Sequence, residues 1–154
     1  MVLSVLLFDP KIATFGDNAR YLILGKSLAA GSGYRDLYLP DAPEHTQYPP
    51  GFPLMLAAIT LLSGGVNILA AKLFVVLTGF GAMFFIYRLC QLTFREKAWP
   101  VMVLFASAPA LVVNNHWVLS EMPFLLVSVA ALYCLVLAYA RPREGKDEGG
   151  RMKP

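Results

Sequence analysis

The chain has 154 residues, of which 57% are hydrophobic and 15% are charged, and its formal net charge is +3. Soluble domains are roughly 45–50% apolar and about 25% charged, so the long uncharged runs here predict membrane helices rather than a large soluble core. The chain is long enough for one domain at most, and it has no basic block that would indicate a nucleic-acid-binding protein. Cys90 and Cys134 both fall in apolar runs, which favours packing thiols over a disulfide or a metal site.

The first segment, "MVLSVLLF", is apolar but much shorter than the about 20 residues that a spanning helix needs. It lacks the basic start and the small-residue cleavage site of a signal peptide. We therefore interpret residues 1–8 as the end of a transmembrane helix whose beginning is missing.

The polar stretch that follows contains "GDNARYLILGKSLAAGSGY", with apolar residues at helical spacing. This spacing predicts a short helix over Ala19–Leu28. Asp17 or Asn18 is predicted to cap its start, and the glycines of "GSG" at 31–33 to end it. We expect this helix to lie along the membrane surface.

A second short helix is predicted from "YPPGFPLMLAAITLLSGG". Pro49 and Pro50 break any preceding helix, and Pro53 suits the first turn of a new one. The apolar run Phe52–Leu62 is too short to span, so we predict a re-entrant or interfacial helix.

Three longer apolar segments follow, and all three are predicted to cross the membrane. The first begins at Asn67 and ends at Phe94, the second is Trp99–Val113 and is only marginally long enough, and the third is Met122–Ala140. The residues 141–154 form a polar tail or a cut loop between helices, typical of a solvated segment.

Charge bias sets the predicted orientation. Lysine and arginine are enriched in 88–97 and in the tail, so both are expected on the cytoplasmic side. Counting crossings then places 9–65 and 114–121 together on the opposite, external face. This arrangement requires that Phe52–Leu62 does not cross; otherwise Asp17 is separated from Glu121.

Glu121 and Asp17 are the candidate catalytic residues. Glu121 begins a membrane helix, where the helix dipole stabilises a carboxylate; alternatively, it is an ionisable group that faces a polar cavity. Asp17 is either a helix cap or a base that deprotonates a sugar-acceptor hydroxyl. The predicted topology brings these two acids to one face of the membrane.

Four further side chains are candidates for binding substrate. Arg20 lies one helical turn after Asp17, where it could pair with that acid or contact a phosphate. Lys72 is a phosphate-contact candidate or a lysine that snorkels to the interface. Tyr48 reads as an interfacial aromatic. His116, like His45, lies on the external side, but no dense ligand spacing indicates a metal site.

In this order, "GDNARYLILGKSLAAGSGY", "YPPGFPLMLAAI", "AAKLFVVLTGFGAMFFIYRLCQLTF" and "VLSEMPFLLVSVAALY" resemble the N-terminal part of the GT-C glycosyltransferases. The similarity is greatest to the polyprenyl-phosphate-sugar-dependent branch, which includes protein O-mannosyltransferases, the lipid A aminoarabinose transferase and Rgt-type enzymes. It extends over about residues 8–140. Each motif is loose by itself, and the order of the four is what makes the resemblance specific.

The resemblance implies an all-α, multi-spanning plasma-membrane enzyme. Its external, periplasmic or extracellular loop would carry two juxtamembrane helices. It would transfer a sugar from a polyprenyl-phosphate donor to a glycan, lipid or protein acceptor. Asp17 matches the family's acidic position in the first loop, and Glu121 a second acidic position at the outer end of a later helix. Residues 1–140 would then be the N-terminal part of the transmembrane domain.

Two departures from the family are visible. The aminoarabinose branch has Glu-Lys before Pro-Pro, and that Glu helps to bind a metal; here the pair is Gln47-Tyr48. No metal ligand is therefore assigned, although a divalent metal stays open as a cofactor. The family also has eight or more spans, so the chain is expected to be a fragment that is inactive in isolation. The alternative is a non-catalytic membrane protein, a transporter fragment or an assembly subunit, in which Asp17 and Glu121 are only caps.

Overall fold

A computed structural model describes Lys11 and residues 17–114 and 117–140. They form helices and no strands, with one isolated antiparallel bridge between Arg35 and Glu44. The all-α prediction is confirmed. The predicted remnant of a first helix at 1–8 and the polar tail 141–154 lie outside the described residues. The helices, in chain order, are α1 Asn18–Ala29, α2 Gly51–Leu62, α3 Ile68–Phe94, α4 Ala98–Ala106, α5 Pro109–Asn114 and α6 Glu121–Ala140.

The two short helices of the first loop agree with their predicted positions. α1 ends in a Schellman motif, in which the N–H of Gly31 bonds to the carbonyl of Leu28 and that of Ser32 to the carbonyl of Ser27, both at 3.0 Å. Gly31 and Gly33 have φ of 69° and 82°, the left-handed region that glycine enters without a Cβ penalty. α2 has 12 residues, which at 1.5 Å per residue gives about 18 Å, too short to cross a bilayer.

α1 and α2 pack closely against each other at Gly25. A Cβ placed on Gly25 would lie 2.9 Å from the Cβ of Leu56 and 3.3 Å from the backbone nitrogen of Ala57. Neither atom is the free end of a flexible side chain, so neither can move without moving α2. The absent side chain at Gly25 therefore sets how close the two helices approach.

We expect Gly25→Ala to destabilise the protein by about 1–3 kcal/mol, because the added methyl group overpacks this contact. Gly51→Ala is the matched control, since nothing lies within 4 Å of the position that its Cβ would take. The same substitution should be neutral or slightly stabilising at Gly51, where alanine favours the helix. Denaturant titration of the purified protein in detergent measures both. Equal effects at the two positions would contradict the close contact.

α3 agrees with its predicted limits, and the basic segment after it is a turn rather than an open loop. Helix α3 begins after Asn67, whose side chain accepts a hydrogen bond from the N–H of Ala70. It extends to Phe94 and is followed by a 3₁₀ turn, Arg95–Lys97, where Arg95 has a φ of 49°. Most of the predicted 88–97 loop is therefore helical.

The chain reverses direction after this turn. Leu111 in α5 packs against the core cluster that contains Ala71 and Val75 of the first turns of α3. A straight continuation of α3 would place Leu111 tens of ångströms from those residues at 1.5 Å per residue. The segment 98–114 must therefore return along α3.

The predicted helix Trp99–Val113 is divided in two, which differs from the expectation of one marginal span. α4 ends at Ala106, and α5 begins at Pro109. Proline lacks the N–H that would continue a helical ladder and is favoured in the first turn of a helix, so a break at this position follows from the sequence.

Two helical stretches, Ile68–Ala106 and Glu121–Tyr139, are long and apolar enough to cross a membrane by length and composition. α6 packs on α3, with Leu126 Cδ1 3.0 Å from the position that a Cβ on Gly81 would take. Near the other end of the pair, the guanidinium of Arg88 donates to the hydroxyl of Tyr133 at 3.3 and 3.4 Å. Cys90 is a buried free thiol, as predicted, whereas the free thiol of Cys134 is exposed and does not have the predicted packing role.

The first-loop helices join the membrane helices through one hydrophobic cluster. Its buried members come from α1, α2, α3, the segment before α6 and the first turn of α6: Tyr21, Leu22, Phe52, Leu56, Ala71, Val75, Val118, Leu119 and Met122. Burial of apolar surface on this scale fixes the loop helices at one end of the α3–α6 pair. The candidate site lies at that end.

Candidate active site

Asp17 lies at the N-cap position of α1, but its side chain makes no capping hydrogen bond. Its Oδ1 instead accepts a hydrogen bond of 2.5 Å from the hydroxyl of Tyr48, 31 residues further along the chain. The prediction that Asp17 caps the helix through its side chain is therefore wrong. The carboxylate is held by a tertiary contact instead. Because it does not cap the helix, a chemical role for Asp17 does not have to compete with a capping role.

Asn18, the other predicted cap, also has a tertiary role. It is 1% exposed, and its Oδ1 accepts a 2.6 Å hydrogen bond from the backbone N–H of Val118. A buried N–H without an acceptor is costly, so this contact fixes the start of α1 against the segment that leads into α6.

Tyr48 is the centre of the polar cluster. Its hydroxyl donates to Asp17 and accepts a 3.3 Å hydrogen bond from Nη1 of Arg20. The bond to Asp17 is the main reason why the pKa of Tyr48 is raised above its usual value, and desolvation adds to the shift. The phenol therefore keeps its proton at neutral pH and acts as a steady donor to the carboxylate.

Arg20 supplies the positive charge of the cluster. Its Nη1 also donates to Oε1 of Gln47 at 3.1 Å, and its guanidinium carbon lies 5.7 Å from the centre of the Tyr38 ring. The hydrogen bond to Tyr48, with the charges around it, raises the pKa of the guanidinium. The described ion pairs do not include a direct Asp17–Arg20 pair; the hydroxyl of Tyr48 bridges the two residues instead.

The segment before α6 lies next to the start of α1. The hydroxyls of Tyr21 and Ser120 are 3.3 Å apart, and Asn18 contacts Val118 as described above. Glu121 is the first residue of α6 and is exposed. It therefore lies at the same end of the helix pair as Asp17, as the predicted topology requires. Within the described part of the chain, Glu121 makes no hydrogen bond or ion pair. The positive end of the α6 dipole stabilises its negative charge.

The two remaining candidates, Lys72 and His116, are not among the residues of this cluster. Lys72 is 3% exposed, so its ammonium group does not snorkel to a surface of the folded chain. It donates a hydrogen bond to the backbone carbonyl of Lys11, in the segment that precedes the site. His116 lies outside the described residues.

An apolar groove opens beside the polar cluster, between the first turns of α2 and α6. Its volume is about 290 Å³. Pro49 at its rim follows Tyr48 directly in the chain, and Ser120 at the same rim contacts Tyr21. The groove is lined by Pro49, Gly51, Phe52, Met55, Ser120, Pro123, Phe124 and Val127.

The donor set does not fit a metal ion. Among Lys11, 17–114 and 117–140, no three His, Cys, Asp or Glu side chains form a group that could hold one. At the position where the resemblance suggested a ligand, Gln47 accepts a hydrogen bond from the Arg20 cation. The one carboxylate of the cluster is already bonded to a hydroxyl proton. Hard cations require several free oxygen ligands, so no chemical step is assigned to a metal.

The described residues therefore place an acid, an arginine and an apolar groove at one end of two helices that are long and apolar enough to cross a membrane. The family model described as dolichyl-phosphate-mannose-protein mannosyltransferase matches residues 21–149. The chain belongs to that family, and the predicted resemblance is confirmed. No curated protein and no solved structure matches the chain.

Family membership supports a glycosyltransferase in the membrane that depends on a polyprenyl-phosphate sugar. The matched range begins at residue 21, so it includes Tyr48, Lys72 and Glu121 but not Asp17 or Arg20. The family match therefore defines the class of protein, and the geometry around Tyr48 is a separate observation. Gln47 and Ser120 were not foreseen as parts of the site, because their partners Arg20 and Tyr21 are 27 and 99 residues away in the sequence.

Proposed function

We propose that this chain is the N-terminal part, residues 1–140, of the transmembrane domain of an enzyme that transfers a mannosyl residue from a polyprenyl-phosphate donor to an acceptor hydroxyl. The observation that carries the proposal is the cluster of Asp17, Tyr48 and Arg20. A carboxylate at a helix start, held by a tyrosine instead of the helix, stands beside a cation at the end of a membrane-helix pair. Acid–base catalysis and phosphate binding require these two groups together.

In the proposed reaction, Oδ2 of Asp17 accepts the proton of the acceptor hydroxyl while Oδ1 stays bonded to Tyr48. The acceptor oxygen attacks the anomeric carbon and forms the new glycosidic bond. The bond between that carbon and the phosphate oxygen breaks, and polyprenyl phosphate leaves with the electron pair. Arg20 compensates the charge that develops on the leaving phosphate.

The groove beside the cluster suits the lipid part of the donor. Its walls are apolar, and its rim at Ser120 and Pro49 lies next to Tyr21 and Tyr48, which contact the polar cluster. A phosphate near Arg20 would therefore have an apolar channel for its first isoprene units. We assign Glu121, exposed at the same end, to the acceptor side, and Lys72 to the support of the segment around Lys11.

The orientation proposed for the site is external, periplasmic or extracellular. The basic residues Arg88, Arg95 and Lys97 lie at the opposite end of α3 from the cluster. The bias of lysine and arginine toward the cytoplasmic side supports an external position for Asp17 and Glu121. The acceptor in this compartment would be a glycan, a lipid or a protein.

The donor class is tested with membranes that contain the full-length enzyme. Supplied with labelled polyprenyl-phosphate mannose, they should transfer label to an endogenous acceptor, whereas labelled nucleotide mannose should give transfer only after conversion to the lipid-linked form. An inhibitor of that conversion should therefore block the second reaction and leave the first unchanged. Transfer from the nucleotide sugar in the presence of the inhibitor would contradict the proposed donor.

A further inference from the structure

The loop between α1 and α2 folds back on itself and brings two buried titratable residues together. The N–H of Asp36 bonds to the carbonyl of Pro43 at 3.0 Å, and that of His45 to the carbonyl of Tyr34 at 2.8 Å. Asp36 and His45 are 8% and 7% exposed. Burial of a carboxylate and an imidazole is costly unless both are hydrogen-bonded, so their pairing needs a structural or functional explanation.

His45 makes hydrogen bonds with both ring nitrogens. Nδ1 is 2.9 Å from each carboxylate oxygen of Asp36, and Nε2 is 2.9 Å from the backbone nitrogen of Tyr48. A backbone N–H can only donate, so Nε2 must accept with its lone pair. The proton then lies on Nδ1, directed at Asp36, and the imidazole is neutral. The carboxylate thus selects the tautomer that can hold Tyr48.

The same surroundings restrain the rest of Tyr48. The His45 ring stacks on the Tyr48 ring with centroids 5.0 Å apart and planes inclined by 28°. The hydroxyl of Tyr34 donates to the carbonyl of Tyr48 at 2.9 Å. Backbone N–H, backbone C=O and aromatic ring are therefore each fixed by a neighbour, and the phenol hydroxyl is left to bond with Asp17.

We propose that Asp36 and His45 are positioning residues, which hold Tyr48 so that its hydroxyl orients the Asp17 carboxylate for proton transfer. The inference rests on the proposed function of Asp17. Neither residue contacts the reacting atoms; Asp36 sets the tautomer of His45, His45 anchors the Tyr48 backbone, and Tyr48 sets the direction of the carboxylate. Misplacement of a reacting group by about 1 Å can lower a rate by about 100-fold, so the effect should appear in kcat.

Two substitutions of His45 separate its two hydrogen bonds. His45→Asn keeps a donor near the position of Nδ1, which can still bond to Asp36, but has no acceptor that reaches the N–H of Tyr48. His45→Gln can place its carboxamide oxygen near the position of Nε2 and restore that acceptor. The proposal therefore predicts a larger defect in the Asn variant than in the Gln variant, although Asn is the smaller, more easily accommodated residue.

Hydrogen–deuterium exchange of the full-length protein measures directly how well the N–H of Tyr48 is protected by its hydrogen bond to His45. A peptide that spans residues 45–52 carries few exchangeable amides, because Pro49 and Pro50 have none. In His45→Asn this peptide should exchange about tenfold faster, as expected for the loss of one net hydrogen bond, while peptides from α6 stay unchanged. Unchanged exchange in the 45–52 peptide would overturn the anchoring role. Faster exchange in α6 as well would show a general loss of folding and would also overturn it.

Kinetics with polyprenyl-phosphate mannose test the link to catalysis. His45→Asn should lower kcat by about 10–100-fold, with the KM for the donor within about twofold of the wild type, and His45→Gln should recover most of the loss. Equal activity of wild type and His45→Asn would refute the inference alone, provided that Asp17→Asn is inactive. If Asp17→Asn keeps full activity, the proposed function fails first, and the exchange result still stands as a structural finding.

Discussion

Asp17→Asn is expected to lower mannosyl transfer by about 10²–10⁴-fold, the usual contribution of a general base. The amide oxygen of asparagine can still accept the hydrogen bond from Tyr48, so the geometry of the cluster should persist. The basic oxygen that takes the proton from the acceptor is lost. Transfer of label from polyprenyl-phosphate mannose, measured at matched amounts of the full-length protein, gives the ratio.

Asp41→Asn provides the matched control for this experiment. Asp41 is exposed in the loop between α1 and α2, within the same predicted external segment 9–65 as Asp17. It has a φ of 62°, a conformation that asparagine also adopts readily. The substitution removes the same charge from the same loop and should leave transfer unchanged. Comparable losses at positions 17 and 41 would indicate that net loop charge matters rather than a specific base. Full activity of Asp17→Asn would exclude Asp17 from the mechanism.

Local sequence patterns predicted the helices near Asp17 well. The spacing of Tyr21, Leu22 and Leu24 gave α1, and all three are buried in the structure. Pro53 and the glycines at 64 and 65 bounded α2. These signals are local, because a helix face, a proline in the first turn and a glycine at the end each act within a few residues.

The polar contacts of the site could not be predicted in the same way. The bond between Asp17 and Tyr48 joins residues 31 apart, and that between Asn18 and Val118 joins residues 100 apart. Local sequence gave Asp17 a capping role because aspartate before a helix is usually a cap. The tertiary partner overrides this preference, and nothing near Asp17 in the sequence indicates the partner.

The family match and the geometry support different parts of the conclusion. The match to residues 21–149 defines the class through the helices that follow the first acidic position. The geometry adds the residues that this range omits. Tyr48 lies inside the matched range, and its hydroxyl is hydrogen-bonded to Asp17, which lies outside the range. The cluster therefore connects the residues that define the family to the acid that we propose to perform the chemistry.

Asn18→Leu is expected to destabilise the protein by about 1–3 kcal/mol, because the N–H of Val118 would be left buried without this acceptor. Leucine has the same number and branching of side-chain non-hydrogen atoms as asparagine, so no cavity forms and the lost hydrogen bond should account for most of the change. Denaturant titration in detergent measures the stability. Because Val118 precedes Ser120 and Glu121, the start of α6 should also separate from α1, and transfer should fall even where the variant remains folded.

Tyr21→Phe is the control that separates this contact from its neighbour. It removes only the hydroxyl that lies 3.3 Å from Ser120, and Ser120 is partly exposed, so water can replace the lost partner. Its cost should be about 0.5–1.5 kcal/mol or less. A larger effect for Tyr21→Phe than for Asn18→Leu would mean that Ser120, rather than the Val118 amide, joins the loop helix to α6. The order of the two effects thus decides which of the two contacts holds the start of α6, with Glu121 and the groove, next to Asp17.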